Sequence, residues 1–372
     1  MAAAKKQTNN EFHVSSINAL LGSLVHNHTK LWRWMGDLES RVLRADIDRI
    51  EIDKPVFIAG LARSGSTILL ELIAQLEETC THQYRDFPPI FTPFWWNWLV
   101  DRSMRQDSQP TERAHGDRIK VTPESPEAFE EPLWMAFFPE IHNPAYSNVI
   151  DDKQRYPEFE RFYKDHIRKL MLLRNGTRYV SKGNYNISRL QYLKTLFPEA
   201  RFVIPVREPA AHIASLMKQH KLFYRASAQN KRARDHLRWV GHFEFGLDRI
   251  PVNMGNGECI DEVIRLWDEN QEVRGWARYW NHIYATVMDQ LEADRHLENA
   301  SIIVRYEDFC RAPVETVQAI LAHTEFSPPS SLINEFCSRI TLPDYYSWSY
   351  SDNDLEIIKE ETASTFSRLG FK

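Results

Sequence analysis

Four short, largely apolar runs punctuate the chain at residues 56–59, 179–181, 202–206 and 302–305. Each is too short for a helix and rich in β-branched and aromatic residues, which fits a buried strand. The intervals between them are long enough for helical crossovers, so the pattern predicts a parallel sheet with helices on both faces. Ahead of the first run, residues 13–47 place Leu20, Leu21 and Leu24, then Leu31, Trp34 and Leu38, at three- and four-residue spacing. That period predicts an N-terminal helical hairpin packed on the main domain. Between 87 and 138 the alternation dissolves into prolines and aromatics (FPPIFTPFWWNWLV, then EEPLWMAFFP), which fits neither a regular sheet nor a long helix.

The first strand runs into Gly60, Leu61, Ala62, Arg63, Ser64, Gly65, Ser66 and Thr67, and a helical pattern follows from Ile68. A loop between strand and helix points the unpaired N–H groups of the first helical turn, and the positive end of the helix dipole, at whatever occupies it. A phosphate or sulfate is the natural occupant. A nucleotide-triphosphatase loop would carry Lys and then Ser or Thr after the second glycine. Here Gly60 and Gly65 keep the spacing, Ser66 stands in the lysine position, and the cation has moved inside the loop to Arg63. Arginine's planar fork suits a tetrahedral anion, and Ser64, Ser66 and Thr67 add hydroxyl donors. A serine-rich helix cap beside a surface arginine would carry the same residues.

About 140 residues further on, the run FPEARFVIPV leads directly into Arg207, Glu208 and Pro209. A charge leaving the carboxyl end of a parallel strand points into the ligand crevice of an open α/β sheet. Pro209 starts the next helix, and that helix carries Ser215, eight residues after Arg207. A strand-end guanidinium and a hydroxyl two turns down can meet on one further phosphate.

In order and at this separation, the two motifs resemble the sulfotransferases that use 3'-phosphoadenosine 5'-phosphosulfate (PAPS). The resemblance implies that Arg63, Ser64, Gly65, Ser66 and Thr67 bind the 5'-phosphosulfate, and that Arg207 and Ser215 bind the 3'-phosphate. It extends over most of the chain beyond residue 50, through 179–182, the RYEDF run at 305–309 and a terminal helix closing on Leu369 and Gly370. HGD at 115–117, SPEAFEEP at 125–132 and GHFEFG at 241–246 resemble a group of bacterial sulfotransferases more narrowly. One departure follows Lys182: many members carry Pro and His there, whereas this chain has Gly183, Asn184, Tyr185 and Asn186. The organisation implied is a helical extension over 1–50 and a sulfotransferase domain over 51–372. That domain has an aromatic acceptor-side insertion at 83–150 and a helical, lid-like insertion at 218–275. Its fold class is α/β, a P-loop-like parallel sheet flanked by helices.

Composition narrows the field. At 372 residues, 43% hydrophobic and 26% charged, the chain is globular, and a net charge of −5 argues against a general nucleic-acid binder. Cys80, Cys259, Cys310 and Cys337 form no pair at metal-ligand spacing, so neither a zinc site nor a disulfide framework is expected. No stretch has the apolar length to cross a bilayer, and MAAAKKQTNN lacks the apolar core of a signal peptide. A cytoplasmic enzyme without the N-terminal anchor of Golgi sulfotransferases is the expectation, and oligomeric state stays open.

The expected reaction moves a sulfuryl group from PAPS to a hydroxyl or amine of a small molecule or lipid. Adenosine 3',5'-bisphosphate is released, and no metal takes part. Like phosphoryl transfer, this demands alignment and charge stabilisation at the leaving oxygen. Arg63 and the loop N–H groups are the first candidates, and Lys182 is a second cation on a neighbouring strand. A base for the acceptor is sought among Glu131, His115, Glu130 and Asp86. The tryptophans Trp95, Trp96, Trp98 and Trp134 are candidates either for an acceptor wall or for ordinary core. The alternatives are a P-loop kinase or nucleotide triphosphatase, and a scaffold that binds anions without turnover.

Overall fold

The computed structural model describes residues 14–103, 111–112, 120–341 and 349–371. Five parallel strands form the central sheet: β1 (Val56–Ile58), β2 (Thr79–Cys80), β5 (Arg178–Lys182), β6 (Arg201–Val206) and β7 (Ser301–Arg305), in the order β2-β5-β1-β6-β7. A separate two-stranded ribbon pairs β3 (Thr111–Glu112) with β4 (Lys120–Val121). All three residues of β1 are fully buried, and they divide by alternation. Phe57 packs with Phe202 and Tyr179 on one face, while Val56 and Ile58 pack with Leu69, Ile73 and Val203 on the other. Both faces of the sheet are therefore covered, as expected for continuously apolar parallel strands.

Several helices position the site. Two N-terminal helices, α1 (Ser16–Asn27) and α2 (Thr29–Val42), follow one another across His28. Each takes its own partner on the main body. The buried ion pair Lys169–Glu39 (2.9 Å) ties α2 to the long helix over Pro157–Arg174. α3 (Ser66–Ala74) leaves the first loop from Gly65. The proline- and aromatic-rich stretch is more regular than its sequence suggests: Pro93–Ser103 is helical and so is α4 (Glu131–Phe137). Proline at the first helical turn starts the former, and its aromatics are distributed around the helix without a single stripe. α5 (Pro209–Gln229) begins at Glu208, whose carboxylate caps the N–H groups of Ala210 and Ala211. α6 (Lys231–Trp239) packs between α5 and α1. Among the described residues, no helix is long and apolar enough to cross a membrane.

Candidate active site

β5, β1 and β6 are adjacent, and each delivers a cation at its carboxyl end. Lys182 is the last residue of β5, Arg63 lies in the loop after β1, and Arg207 follows β6. Strand pairing sets their spacing, because Ile58 is in register with both Lys182 and Val203.

The first loop is held from behind. The indole N–H of Trp280 donates to Nδ1 of His212 at 3.2 Å, which fixes the imidazole proton on Nε2. Nε2 then donates to the Ala62 carbonyl at 2.9 Å. Burial holds this histidine down to about 3, so it stays neutral beside Arg207 and Arg63. Gly60 lies so close to β6 that a Cβ there would come within 2.8 Å of the Pro205 carbonyl. At Gly65 (φ +100°), a Cβ would come within 2.7 Å of the Tyr306 ring. Arg63 itself has φ +70°, a left-handed conformation costly for a side-chain-bearing residue and characteristic of functional loops.

The loop's side chains do not all point the same way. Arg63, Ser66 and Thr67 line a cavity of about 490 Å³, as does Lys182, while Ser64 is buried against Gly60. Lys182 Nζ donates to Thr67 Oγ1 at 3.1 Å. Arg63 Nε donates to Ser215 Oγ at 3.3 Å, so the two sequence motifs, 152 residues apart, touch directly. Arg207 is buried, with its guanidinium 5.0 Å from the centre of the Tyr306 ring. Tyr306, from the RYEDF run, therefore touches both Gly65 and Arg207 and forms a wall common to the two motifs.

The opposite side of the cavity comes from the SPEAFEEP and GHFEFG stretches, with Tyr84, Phe87, Phe129, Phe223 and Phe245 as its aromatic walls. None of the four tryptophans singled out from the sequence lines it. Trp134 is wholly buried 4.4 Å from the Phe159 ring, and Trp98 is 52% exposed with Arg102 stacked on it at 3.8 Å. They are core and surface residues.

The carboxylates expected as bases have structural partners. Glu130 accepts the hydroxyls of Tyr163, Tyr179 and Ser181, each at 2.5 Å. Glu131 is gripped by both guanidinium nitrogens of Arg189 at 2.9 and 2.7 Å and contacts His142 at 2.8 Å. Burial would raise its pKa, but the Arg189 charge and His142 outweigh that and hold it below the usual range, which weakens it as a base. Asp86 does not line the cavity. It accepts from Asn97 at 2.8 Å and Arg174 at 2.6 Å and, against the cost of burial, is held at about 2. His115 lies outside the described residues.

One constellation escaped the sequence reading. His242 and Glu244 border the cavity and pair through Nδ1 and Oε2, and Asn184 Nδ2 donates to the other oxygen of Glu244 at 2.6 Å. The signal was present in GHFEFG, where Gly241 (φ +72°) and Gly246 (φ +88°) bracket the pair. Among the described residues no three His, Cys, Asp or Glu side chains converge as a metal site.

An open parallel sheet flanked by helices, with a strand-loop-helix turn after its central strand and a cation after each of three neighbouring strands, is a P-loop-like α/β fold. Residues 55–261, more than half of the chain, match the sulfotransferase family, and the chain belongs to that family. Among solved structures it resembles sulfotransferase STF1 from Mycobacterium tuberculosis H37Rv at 15% identity and a TM-score of 0.51, over 93% of this chain and 87% of that one. Sulfotransferase STF9 from Mycobacterium avium is similar at 11% identity and a TM-score of 0.51, over 95% and 84%. At these identities the likeness is one of fold. No curated protein sequence matches the chain.

Proposed function

We propose that the protein transfers the sulfuryl group of PAPS to a hydroxyl or amine of an apolar small molecule or lipid and releases adenosine 3',5'-bisphosphate. The observation that carries this reading is the Arg63–Ser215 hydrogen bond, which makes the two anion motifs parts of one surface. Ser66, Thr67 and the N–H groups of the first turn of α3 hold the 5'-phosphosulfate. Arg207 and Ser215 hold the 3'-phosphate. Arg63 and Lys182 face the charge that builds on the departing phosphate oxygen as sulfur leaves it, where preorganised donors are most effective. The phenylalanine-lined half of the cavity takes the acceptor, and residues 218–275 cover that side. The volume suits a drug-sized molecule. With two arginines and a lysine in place, charge neutralisation needs no divalent cation.

Incubation with ³⁵S-labelled PAPS and a panel of phenols and long-chain alcohols, and separately with ATP, tests this. Label transfer that persists in EDTA supports the reading. ATP hydrolysis in place of transfer overturns it in favour of a nucleotide triphosphatase. Binding without turnover overturns it in favour of a scaffold.

A further inference from the structure

An acceptor hydroxyl must shed its proton as its oxygen bonds to sulfur, and the group that takes the proton has to stand at the acceptor end of the cavity. Six carboxylates and imidazoles line the cavity among the described residues: Glu127, Glu130, Glu131, His236, His242 and Glu244. Glu130 is committed to three hydroxyls and Glu131 to Arg189. Glu127 turns back to accept from the N–H of Ala128 at 2.7 Å. His236 lies edge-on to Phe87, 5.0 Å between ring centres, and burial holds it down to about 4. His242 differs in having a carboxylate aligned on one ring nitrogen. We propose, resting on the transferase reading above, that His242 is the catalytic base for the acceptor, with Glu244 and Asn184 as its positioning residues.

The local sequence explains how the ring is aimed. α6 ends in a Schellman motif: the Gly241 N–H donates to Arg238 O at 3.2 Å and the His242 N–H to Leu237 O at 2.8 Å. The left-handed residue this requires is Gly241, packed so tightly that a Cβ would come within 2.4 Å of Glu131 Cγ. The reversal turns His242 back onto the cavity. The Phe243 N–H then donates to the Tyr185 hydroxyl at 2.9 Å, and Asn184 reaches Glu244 from the same turn. Both anchors lie within three residues of Lys182, so the histidine is tied to the strand end that carries a cation of the transfer site.

The chemistry follows from the pairing. A carboxylate accepts only a proton-bearing nitrogen, so Glu244 keeps the imidazole hydrogen on Nδ1 and the basic lone pair on Nε2. Burial alone would raise Glu244, but once the imidazolium forms, its charge and hydrogen bond, with the bond from Asn184, hold Glu244 down to about 2, so it stays ionised through the step. In the step itself the acceptor O–H proton passes to Nε2 while the acceptor oxygen bonds to sulfur. The bond between sulfur and the bridging phosphate oxygen breaks, and its electron pair leaves on adenosine 3',5'-bisphosphate. The imidazolium then returns its proton to water.

A His242→Gln variant tests this with two probe acceptors. Transfer from labelled PAPS to 2-naphthol, which must lose a proton, is expected to fall by about 100-fold or more. Transfer to p-nitrophenol, already ionised in mildly alkaline buffer, is expected to fall less than about fivefold, because no base is needed. Equal losses with the two acceptors overturn the assignment. Calorimetry with adenosine 3',5'-bisphosphate is the separating control: if the wild type fails to bind it, the transferase reading fails, whereas binding retained in both proteins isolates the result to the base. Independently of any acceptor, ¹⁵N spectra of the histidine ring are expected to place the His242 proton on Nδ1 at neutral pH, and Glu244→Gln is expected to shift it toward Nε2. An Nε2–H tautomer in the wild type overturns the proposal.

Discussion

On the side proposed for the nucleotide, the charged groups leave from the ends of three neighbouring strands, whereas on the side proposed for the acceptor they hang from helix ends and glycine turns. The first arrangement inherits its spacing from the sheet, where parallel strands lie about 4.8 Å apart and register leaves little freedom. Ile58 faces Lys182, and Val206 faces Arg305, whatever the surrounding loops do. The second arrangement depends on long-range side-chain bonds. Glu131 needs Arg189, 58 positions away, and Glu244 needs Asn184, 60 positions away. A scaffold of this kind can keep its strand-end cations while the loops opposite are rebuilt, since substitutions among the tethers leave strand register untouched.

The sharpest way to break the donor half is Arg63→Ala. It removes the cation proposed to face the leaving oxygen while the His212–Ala62 tether remains, and transfer from PAPS should fall about 10³-fold, ~4 kcal/mol of transition-state stabilisation. Single-turnover label transfer measures it, with circular dichroism expected to match the wild type. A loss below tenfold would move the leaving-group role elsewhere.

On the acceptor half, Gly241→Ala should cost about 2 kcal/mol or more. The new Cβ meets Glu131 Cγ and the backbone there is left-handed. Urea unfolding reads the stability, and transfer to 2-naphthol should drop more than binding of adenosine 3',5'-bisphosphate. Equal losses in the two would mean that the halves are not independent.

A smaller effect distinguishes them by pH. Burial holds His212, behind the nucleotide loop, at about 3 against an ordinary 6.5, so the unfolded chain binds its proton first as pH falls. Stability is therefore expected to decline from about pH 6.5 downward until the folded histidine also protonates near 3, by up to about 1.4 kcal/mol per pH unit for such a group. Glu244 acts in the same direction over a lower window: the stability it adds is present above the ordinary carboxylate range and is lost as pH falls toward 2. Urea midpoints at pH 7 and pH 5 should differ in the wild type and differ less in His212→Gln. An unchanged slope would mean that His212 is charged in the fold.

The same contrast explains what the sequence made legible. β1, β5, β6 and β7 each coincide with an apolar run, and the residues leaving β1 and β6 are the glycine loop and Arg207, so the strands and what leaves their ends could be read from local pattern. β2 is two residues long and has no period to detect. Glu131 reads as an accessible helical carboxylate until Arg189 and His142 are seen to close on it. His242 carried only a local hint, two glycines around a histidine and a glutamate, because its third partner, Asn184, lies in another segment. Periodicity reports on neighbours three or four residues apart; it carries nothing about a tether of sixty.

Whether the three strand ends form one nucleotide site is tested most directly by calorimetric titration with adenosine 3',5'-bisphosphate and with adenosine 5'-monophosphate. The bisphosphate should bind the wild type about 100-fold more tightly, and Arg207→Ala should reduce it to the affinity of the monophosphate, the loss of a buried charge-assisted phosphate contact. Equal affinity for the two nucleotides in the wild type, or an Arg207→Ala variant that still discriminates between them, would contradict the account.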